Sequence, residues 1–273
     1  MSDQNRHPAT ILSDGQVQQF IQDGFVRLDH AFPKTLADEC RDCLWRETGC
    51  DRDDPSTWTR PVIRIHGHDG EPFRKAINTP ELHTAFDRLI GKGRWRPRSG
   101  IGSFPIRFPH PDDPGDAGWH IDKGFPGEDA IPGDYNSHRV NIVSKGRALL
   151  MLFLFSDVGR DDAPTRIRIG SHRPMARRLV IGGDAGLSAK EIDREAKSLI
   201  ILPETLATGE AGTVYLCHPF LVHAAQRHRG TSPRFLAQPP LHSKEPLQLH
   251  RKDNDYSPVE MAIRLALEEQ GES

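Results

Sequence analysis

The sequence predicts a mainly β fold in which helices pack outside an antiparallel sandwich or barrel. Helical start and stop signals dominate residues 12–95, and from about residue 100 short apolar runs alternate with Pro- and Gly-rich connections. Helical periodicity closes the chain at 257–270. We therefore expect one domain with a helical N-terminal layer (12–95), a β core (100–242) and a C-terminal helix (257–270). The strand pattern alone does not separate a jelly roll from another sandwich.

Cap residues place the helices of the first layer. A Ser or Thr before an apolar stripe, with Glu or Gln three residues later, is typical of a helix start, and Gly is typical of a helix end. These signals predict a helix begun by Ser13 with Gln16 and ended by Gly24, a strand at 25–29, a helix at 35–48 after Pro33, and a helix from Pro80 to Gly91.

Short apolar segments between turn residues define the core. The expected strands are 101–108, 118–122, 139–143, 148–155, 165–169, 213–217, 221–224 and 234–238. One helix interrupts them, begun by Ser188 with Glu191, and the last helix begins at Ser257. The loops 109–118 and 123–137 are long enough to act as lids or binding loops.

Charge and hydropathy exclude several classes of protein. The 36 Lys and Arg against 38 Asp and Glu give a net charge of −2, which argues against a nucleic-acid or anionic-membrane binder. The longest apolar run, 148–155, is far shorter than the roughly 20 residues of a membrane helix. Residues 1–16 are polar and lack the apolar stretch of a secretory signal, so we expect a cytoplasmic protein.

Histidine outnumbers cysteine 14 to 4, which directs attention to imidazole chemistry. Cys40 and Cys43 form a CxxC, but they share a helix face with Leu36 and Leu44. We therefore interpret these thiols as core residues rather than a zinc or redox site.

Two His-x-Asp triplets occur, and their surroundings differ. His110 and Asp112 lie among prolines, which favour an irregular loop. His120 and Asp122 lie in Gly-Trp-His-Ile-Asp, where an extended chain would direct both side chains to one face. One further His would complete a facial triad that leaves metal positions open.

The third ligand must come from elsewhere in the chain. His223 is our choice, because it ends an apolar stretch and Arg234 follows eleven residues later. A guanidinium buried near a metal needs an acidic partner, and a diacid cosubstrate would reach both the metal and the Arg. The other candidates considered are His172, His218, His228 and His242.

Three stretches together resemble the phytanoyl-CoA dioxygenase family of Fe(II)/2-oxoglutarate oxygenases, over roughly residues 12–241. They are 107–124, which contains Gly-Trp-His-Ile-Asp-Lys-Gly, 156–172, which ends in Arg-Ile-Gly-Ser-His, and 212–234, which ends in Ser-Pro-Arg. The resemblance implies a double-stranded β-helix (jelly roll, cupin-like), a small-molecule substrate, O2 as oxidant and 2-oxoglutarate as cosubstrate.

The same resemblance implies roles for individual residues. Fe(II) would be held by His120, Asp122 and His223, and Arg234 would bind the distal carboxylate of 2-oxoglutarate. Arg107 and Thr165 are further cofactor-binding candidates.

Two positions depart from the family pattern. Ile169 replaces the usual Pro before Gly-Ser-His, and Ala225 replaces a usual Ser two residues after the ligand His. Because the Ala225 position lacks a hydroxyl, Arg234 or another group must make more of the contact with the cosubstrate carboxylate. Asp122 is intact, which does not favour a halogenase.

Two alternatives remain from the residues alone. The ligands could serve a jelly-roll Zn or Mn hydrolase or isomerase, or a non-catalytic ligand-binding barrel. The substrate, the choice among hydroxylation, desaturation and cyclisation, and the oligomeric state stay open. The remaining histidines, among them His66, His68, His83, His138 and His250, receive no role.

Overall fold

A computed structural model describes residues 11–271. Four helices form the N-terminal layer, two interrupt the β core and one follows it. They are α1 (Asp14–Asp23), α2 (Lys34–Thr48), α3 (Glu71–Ile77), α4 (Pro80–Ile90), α5 (His172–Leu179), α6 (Ala189–Ser198) and α7 (Pro258–Gly271). Within the described residues, no helix is long and apolar enough to cross a bilayer.

The strands are short and all of their pairings are antiparallel. They are β1 (Phe25–Leu28), β2 (Val62–Ile65), β3 (Phe104–Arg107), β4 (Phe125–Pro126), β5 (His138–Val140), β6 (Leu149–Leu154), β7 (Thr165–Arg168), β8 (Leu187–Ser188), β9 (Glu204–Ala207), β10 (Val214–Cys217), β11 (His223–Ala224), β12 (Leu236–Ala237) and β13 (Pro240–Leu241).

Two sheets face each other across the core. The larger has the order β1-β10-β6-β12, with β13 also paired to β6, and the smaller has the order β11-β7-β9. Single bridges extend both sheets: Arg107 with Arg234 joins β3 to the β12 segment, and His120 with His223 adds the 118–122 segment beside β11. This is the expected jelly roll with helices outside.

The central strand β6 shows why the core sequence is apolar without alternation. All six of its residues are buried. Leu150, Leu152 and Leu154 pack between the sheets, whereas Leu149 and Met151 pack with the helical layer. A strand covered on both faces needs apolar residues at every position, because neither face meets water.

The predicted caps are observed. Ser13 with Gln16 and Ser188 with Glu191 form capping boxes, and Ser257 with Glu260 makes the same reciprocal bonds at α7. Glu260 is fully buried and pairs with Arg94, so this last cap also anchors α7 to the end of the N-terminal layer.

Several elements differ from the sequence expectation. The sequence does not predict strands β2, β4, β8, β9 and β13 or helices α3 and α5, because each is short and its apolar pattern covers few residues. The expected strand 118–122 forms only one bridge, at His120. Segment 139–143 is a strand only as far as Val140, after which the chain turns.

Candidate metal centre

The structure brings His120, Asp122 and His223 together between the two sheets. Asp122 Oδ1 lies 3.9 Å from His120 Nε2 and 4.0 Å from His223 Nε2. Ligand atoms of the three side chains all lie within 4.8 Å of one another. Reciprocal backbone bonds between His120 and His223, each 3.0 Å long, set the register that positions both rings.

Local hydrogen bonds orient both imidazoles. His120 Nδ1 lies 2.9 Å from the Gly118 carbonyl, and His223 Nδ1 lies 3.1 Å from the Leu221 carbonyl. Since a carbonyl only accepts, each Nδ1 carries the proton and donates, which leaves the Nε2 lone pair free for a metal. Two such imidazoles and one carboxylate are a donor set that fits Fe(II).

Burial keeps His223 neutral. The ring is almost fully enclosed, and this burial, with the neighbouring His120, lowers the pKa of His223 to about 4, although Asp122 opposes the shift. A neutral imidazole near pH 7 is the form that binds metal.

Arg147 holds the carboxylate of Asp122. Its Nη1 lies 3.0 Å from Asp122 Oδ2, the oxygen that faces away from the imidazoles. Burial alone would raise the pKa of Asp122, but Arg147, His223 and His120 lower it below its usual range. The ion pair therefore keeps Asp122 ionised and leaves Oδ1 free to bind a metal ion. Sequence reasoning missed Arg147, for which the only signal was a lone charge directly before the apolar run of β6.

Arg107 and Arg234 lie side by side in the same interior. They exchange backbone hydrogen bonds and are 1% and 2% exposed. Arg234 donates through Nη2 to the Pro105 carbonyl (3.1 Å) and through Nη1 to the Ala163 carbonyl. Within the described residues, its Nε and the Nε and Nη1 of Arg107 have no hydrogen-bond partner.

Of the two arginines, Arg107 is paired with a partly buried carboxylate. Arg107 Nη2 lies 2.7 Å from both oxygens of Asp116, which also pairs with the half-exposed Arg64. Burial and the charge of Arg107 lower the pKa of Arg234, while Asp116 opposes the shift. The unpartnered N–H groups and the excess positive charge make this an anion site, and one end of a dicarboxylate fits it.

Thr165 is the first residue of β7, and Ala225 directly follows β11. Thr165 is buried and shares a face of β7 with Ile167, which packs between the sheets. On the opposite face, Arg166 and Arg168 stack on Trp119 at 4.5 and 4.1 Å. Thr165 therefore faces inward, as a cosubstrate contact requires.

The discarded residues lie apart from the centre. Asp112 is strongly exposed and lies 3.7 Å from His110 in an irregular loop. Cys40 is a buried free thiol and Cys43 a partly buried one, in agreement with their interpretation as core residues. His172 and His218 are buried together elsewhere, beneath the helices.

Comparisons with known proteins agree with this architecture. No family model and no curated protein match the chain. Among solved structures, the non-heme alpha-ketoglutarate-dependent carbocyclase SnoK from nogalamycin biosynthesis is similar, with a TM-score of 0.57 at 17% identity over 86% of each chain.

Two further structures are similar at 17% identity. HygX from Streptomyces hygroscopicus, with nickel, 2-oxoglutarate and hygromycin B bound, has a TM-score of 0.52 and covers 85% of this chain and 88% of its own. EctD from S. alaskensis, with 2-oxoglutarate and 5-hydroxyectoine, has a TM-score of 0.54 and covers 88% and 78%. The similarities confirm the predicted jelly-roll fold.

Proposed function

We propose that the protein is an Fe(II)- and 2-oxoglutarate-dependent oxygenase of the phytanoyl-CoA dioxygenase family that acts on a small organic molecule. The main support is the combination of a His/Asp/His donor set with a buried pair of arginines at the other end of the same interior. Similar folds that bind 2-oxoglutarate add support. The cytoplasmic location stays a prediction.

The overall reaction would consume substrate R–H, O2 and 2-oxoglutarate, and would yield R–OH, succinate and CO2. Bound Fe(II) would couple the oxidative decarboxylation of 2-oxoglutarate to oxidation of a substrate C–H bond. His120, Asp122 and His223 would hold the metal. Arg234, with Arg107 beside it, would hold the distal carboxylate of 2-oxoglutarate.

The chain itself orients the side chains that would bind the metal and the cosubstrate. Arg147 fixes Asp122, and the backbone carbonyls fix the two imidazoles, so little rearrangement accompanies metal binding. Arg234 is held by two carbonyls before any cosubstrate arrives, which reduces the entropy lost on binding. Thr165 would offer its hydroxyl to the cosubstrate from the inner face of β7.

The buried arginines weigh against the main alternative. A Zn or Mn hydrolase or isomerase could use the same three ligands, but it has no need of an anion site formed by Arg107 and Arg234. Consumption of O2 that depends on 2-oxoglutarate would separate the two functions. A ligand-binding barrel would bind a small molecule without metal and form no succinate.

Anaerobic addition of Fe(II) and 2-oxoglutarate to the folded protein tests the proposal. A weak visible charge-transfer band is expected, because the keto acid would chelate the iron. Asp122→Ala should remove this band, whereas Asp112→Ala, the same change in the other His-x-Asp triplet, should leave it unchanged. A folded wild-type protein without the band would refute the cosubstrate assignment.

A further inference from the structure

A cavity of about 640 Å³ opens at the end of the β core, between the segment before β3 and the segment after β13. Its wall includes Arg96, Arg98, His68, Asp69 and His242. His68 is already engaged, since it stacks on a phenylalanine ring and lies 2.9 Å from a glutamate. The two arginines are the charged groups without an assigned role.

Backbone carbonyls hold both guanidiniums in place. Arg98 donates to Gly100 (2.9 Å) and to Pro240 (2.7 Å), and Arg96 donates to Ser243 (3.2 Å) and Lys244 (3.1 Å). Neither forms an ion pair with any residue of 11–271. Two oriented cations with donors left over, neither of them engaged in an ion pair, form a preorganised anion site.

A hydrogen bond connects the cavity wall to the segment that holds Asp122. His242 Nδ1 donates to the Gly146 carbonyl at 2.6 Å, and the next residue, Arg147, holds Asp122 at 3.0 Å. Arg98 also donates to the Pro240 carbonyl of β13, and β13 pairs with the start of β6, two residues after Arg147. A molecule anchored at Arg98 would therefore lie near the start of β6, next to the segment whose Arg147 pairs with Asp122.

We infer that Arg96 and Arg98 bind an oxyanion group of the substrate, so that the oxidised molecule carries a phosphate-like or carboxylate group. This inference rests on the proposed function for the reaction, but the anion site can be tested without it. Asp69 is the acidic residue of the wall, and it is exposed. Its charge would repel the bound group weakly.

Calorimetric titration of inorganic phosphate and of acetate into the metal-free protein tests the site. Arg98→Gln and, independently, the more exposed Arg96→Gln should each weaken binding of the preferred anion at least tenfold. Arg229→Gln, an exposed arginine outside the cavity wall, is the matched control and should change nothing. Asp69→Asn should tighten binding a few-fold.

Arg234→Gln distinguishes this site from the cosubstrate site. If Arg234→Gln abolished phosphate and acetate binding while folded Arg98→Gln and Arg96→Gln kept it, the anions would occupy the inner arginines and the inference would be overturned. Wild-type protein that binds neither anion would overturn it as well. The iron–2-oxoglutarate band, measured in parallel, should persist in Arg98→Gln. Its absence from wild-type protein that binds phosphate would instead refute the oxygenase assignment.

Discussion

Two pairs of neighbouring histidine rings occur among residues 11–271, and within that range one pair has the features of a metal site. The rings of His120 and His223 are 4.5 Å apart between the sheets, and those of His172 and His218 are 4.9 Å apart beneath the helices. The first pair surrounds a carboxylate and directs Nε2 inward. The second pair has no carboxylate partner among residues 11–271.

In the second pair, Nε2 of each ring is hydrogen-bonded to a backbone carbonyl. His172 Nε2 lies 3.0 Å from the Ile21 carbonyl of α1, and His218 Nε2 lies 3.3 Å from the Val259 carbonyl of α7. These bonds tie two helices to the core. The comparison shows that proximity of imidazoles does not make a metal site: the nitrogen left free and the presence of a carboxylate decide.

The largest expected effect is a difference in Fe(II) affinity between substitutions in the first pair and in the second. His223→Ala should reduce Fe(II) affinity by at least about 100-fold, because it removes one of three ligands. His218→Ala should leave affinity unchanged in the folded fraction while it lowers the free energy of unfolding by about 2–4 kcal/mol. Anaerobic metal titration and urea unfolding measure the two quantities. Equal losses of affinity would contradict the distinction.

Lowering the pH should destabilise the folded protein in part through His172 of the second pair. Burial, and to a smaller degree Arg173, lowers the pKa of His172 to about 4 despite its bond to Ile21. The pKa of His172 in the folded state lies below its value in the unfolded chain. The stability that comes from burying the neutral ring is therefore complete above about pH 6.5 and is lost as the pH falls toward 4. It amounts to at most about 3 kcal/mol.

Unfolding free energies measured from pH 7 to pH 4 check this expectation. His172→Gln should reduce the pH dependence without abolishing it, because the replacement cannot take up a proton but His223, whose pKa is also lowered to about 4, still can. His250→Gln changes an exposed histidine and is the control. A slope that is the same in wild type and His172→Gln would exclude His172 as the source of acid sensitivity.

A substitution of Arg147, the ion-pair partner of Asp122, tests the first pair further. Arg147→Gln should weaken Fe(II) binding by about 10–100-fold, because Asp122 would lose the group that orients it and keeps it ionised. Arg139→Gln is a control on a neighbouring strand, where the arginine pairs with the exposed Asp129. If Arg147→Gln bound iron as tightly as wild type, the preorganisation attributed to this ion pair would be absent.

The smallest effect concerns Ala225. Ala225→Ser restores a hydroxyl beside His223 and should lower the KM for 2-oxoglutarate by about 2–10-fold, the value of one added hydrogen bond. Steady-state kinetics with varied 2-oxoglutarate measure it, and kcat should change little. An unchanged KM would mean that Arg234 and its neighbours already satisfy the carboxylate.

Sequence reasoning predicted the elements with strong local signals. The capped helices, the buried run of β6 and the convergence of His120, Asp122 and His223 agree with the structure. It missed β2, β9 and Arg147, whose roles depend on partners far away in the chain. The assignment of Arg107 and Thr165 to the cosubstrate stays a prediction, although both side chains are buried in the β core.

The sequence by itself determined the fold class and the ligand types, because cap residues, period-2 spacing and a His-x-Asp on an extended segment act over a few residues. The tertiary structure alone decided which histidines share a carboxylate, which Nε2 stays free, and that Arg147 would face Asp122. It also decided that two arginines would line a cavity without counter-ions. Those outcomes depend on how strands distant in sequence are registered against each other, and local patterns contain no record of that pairing.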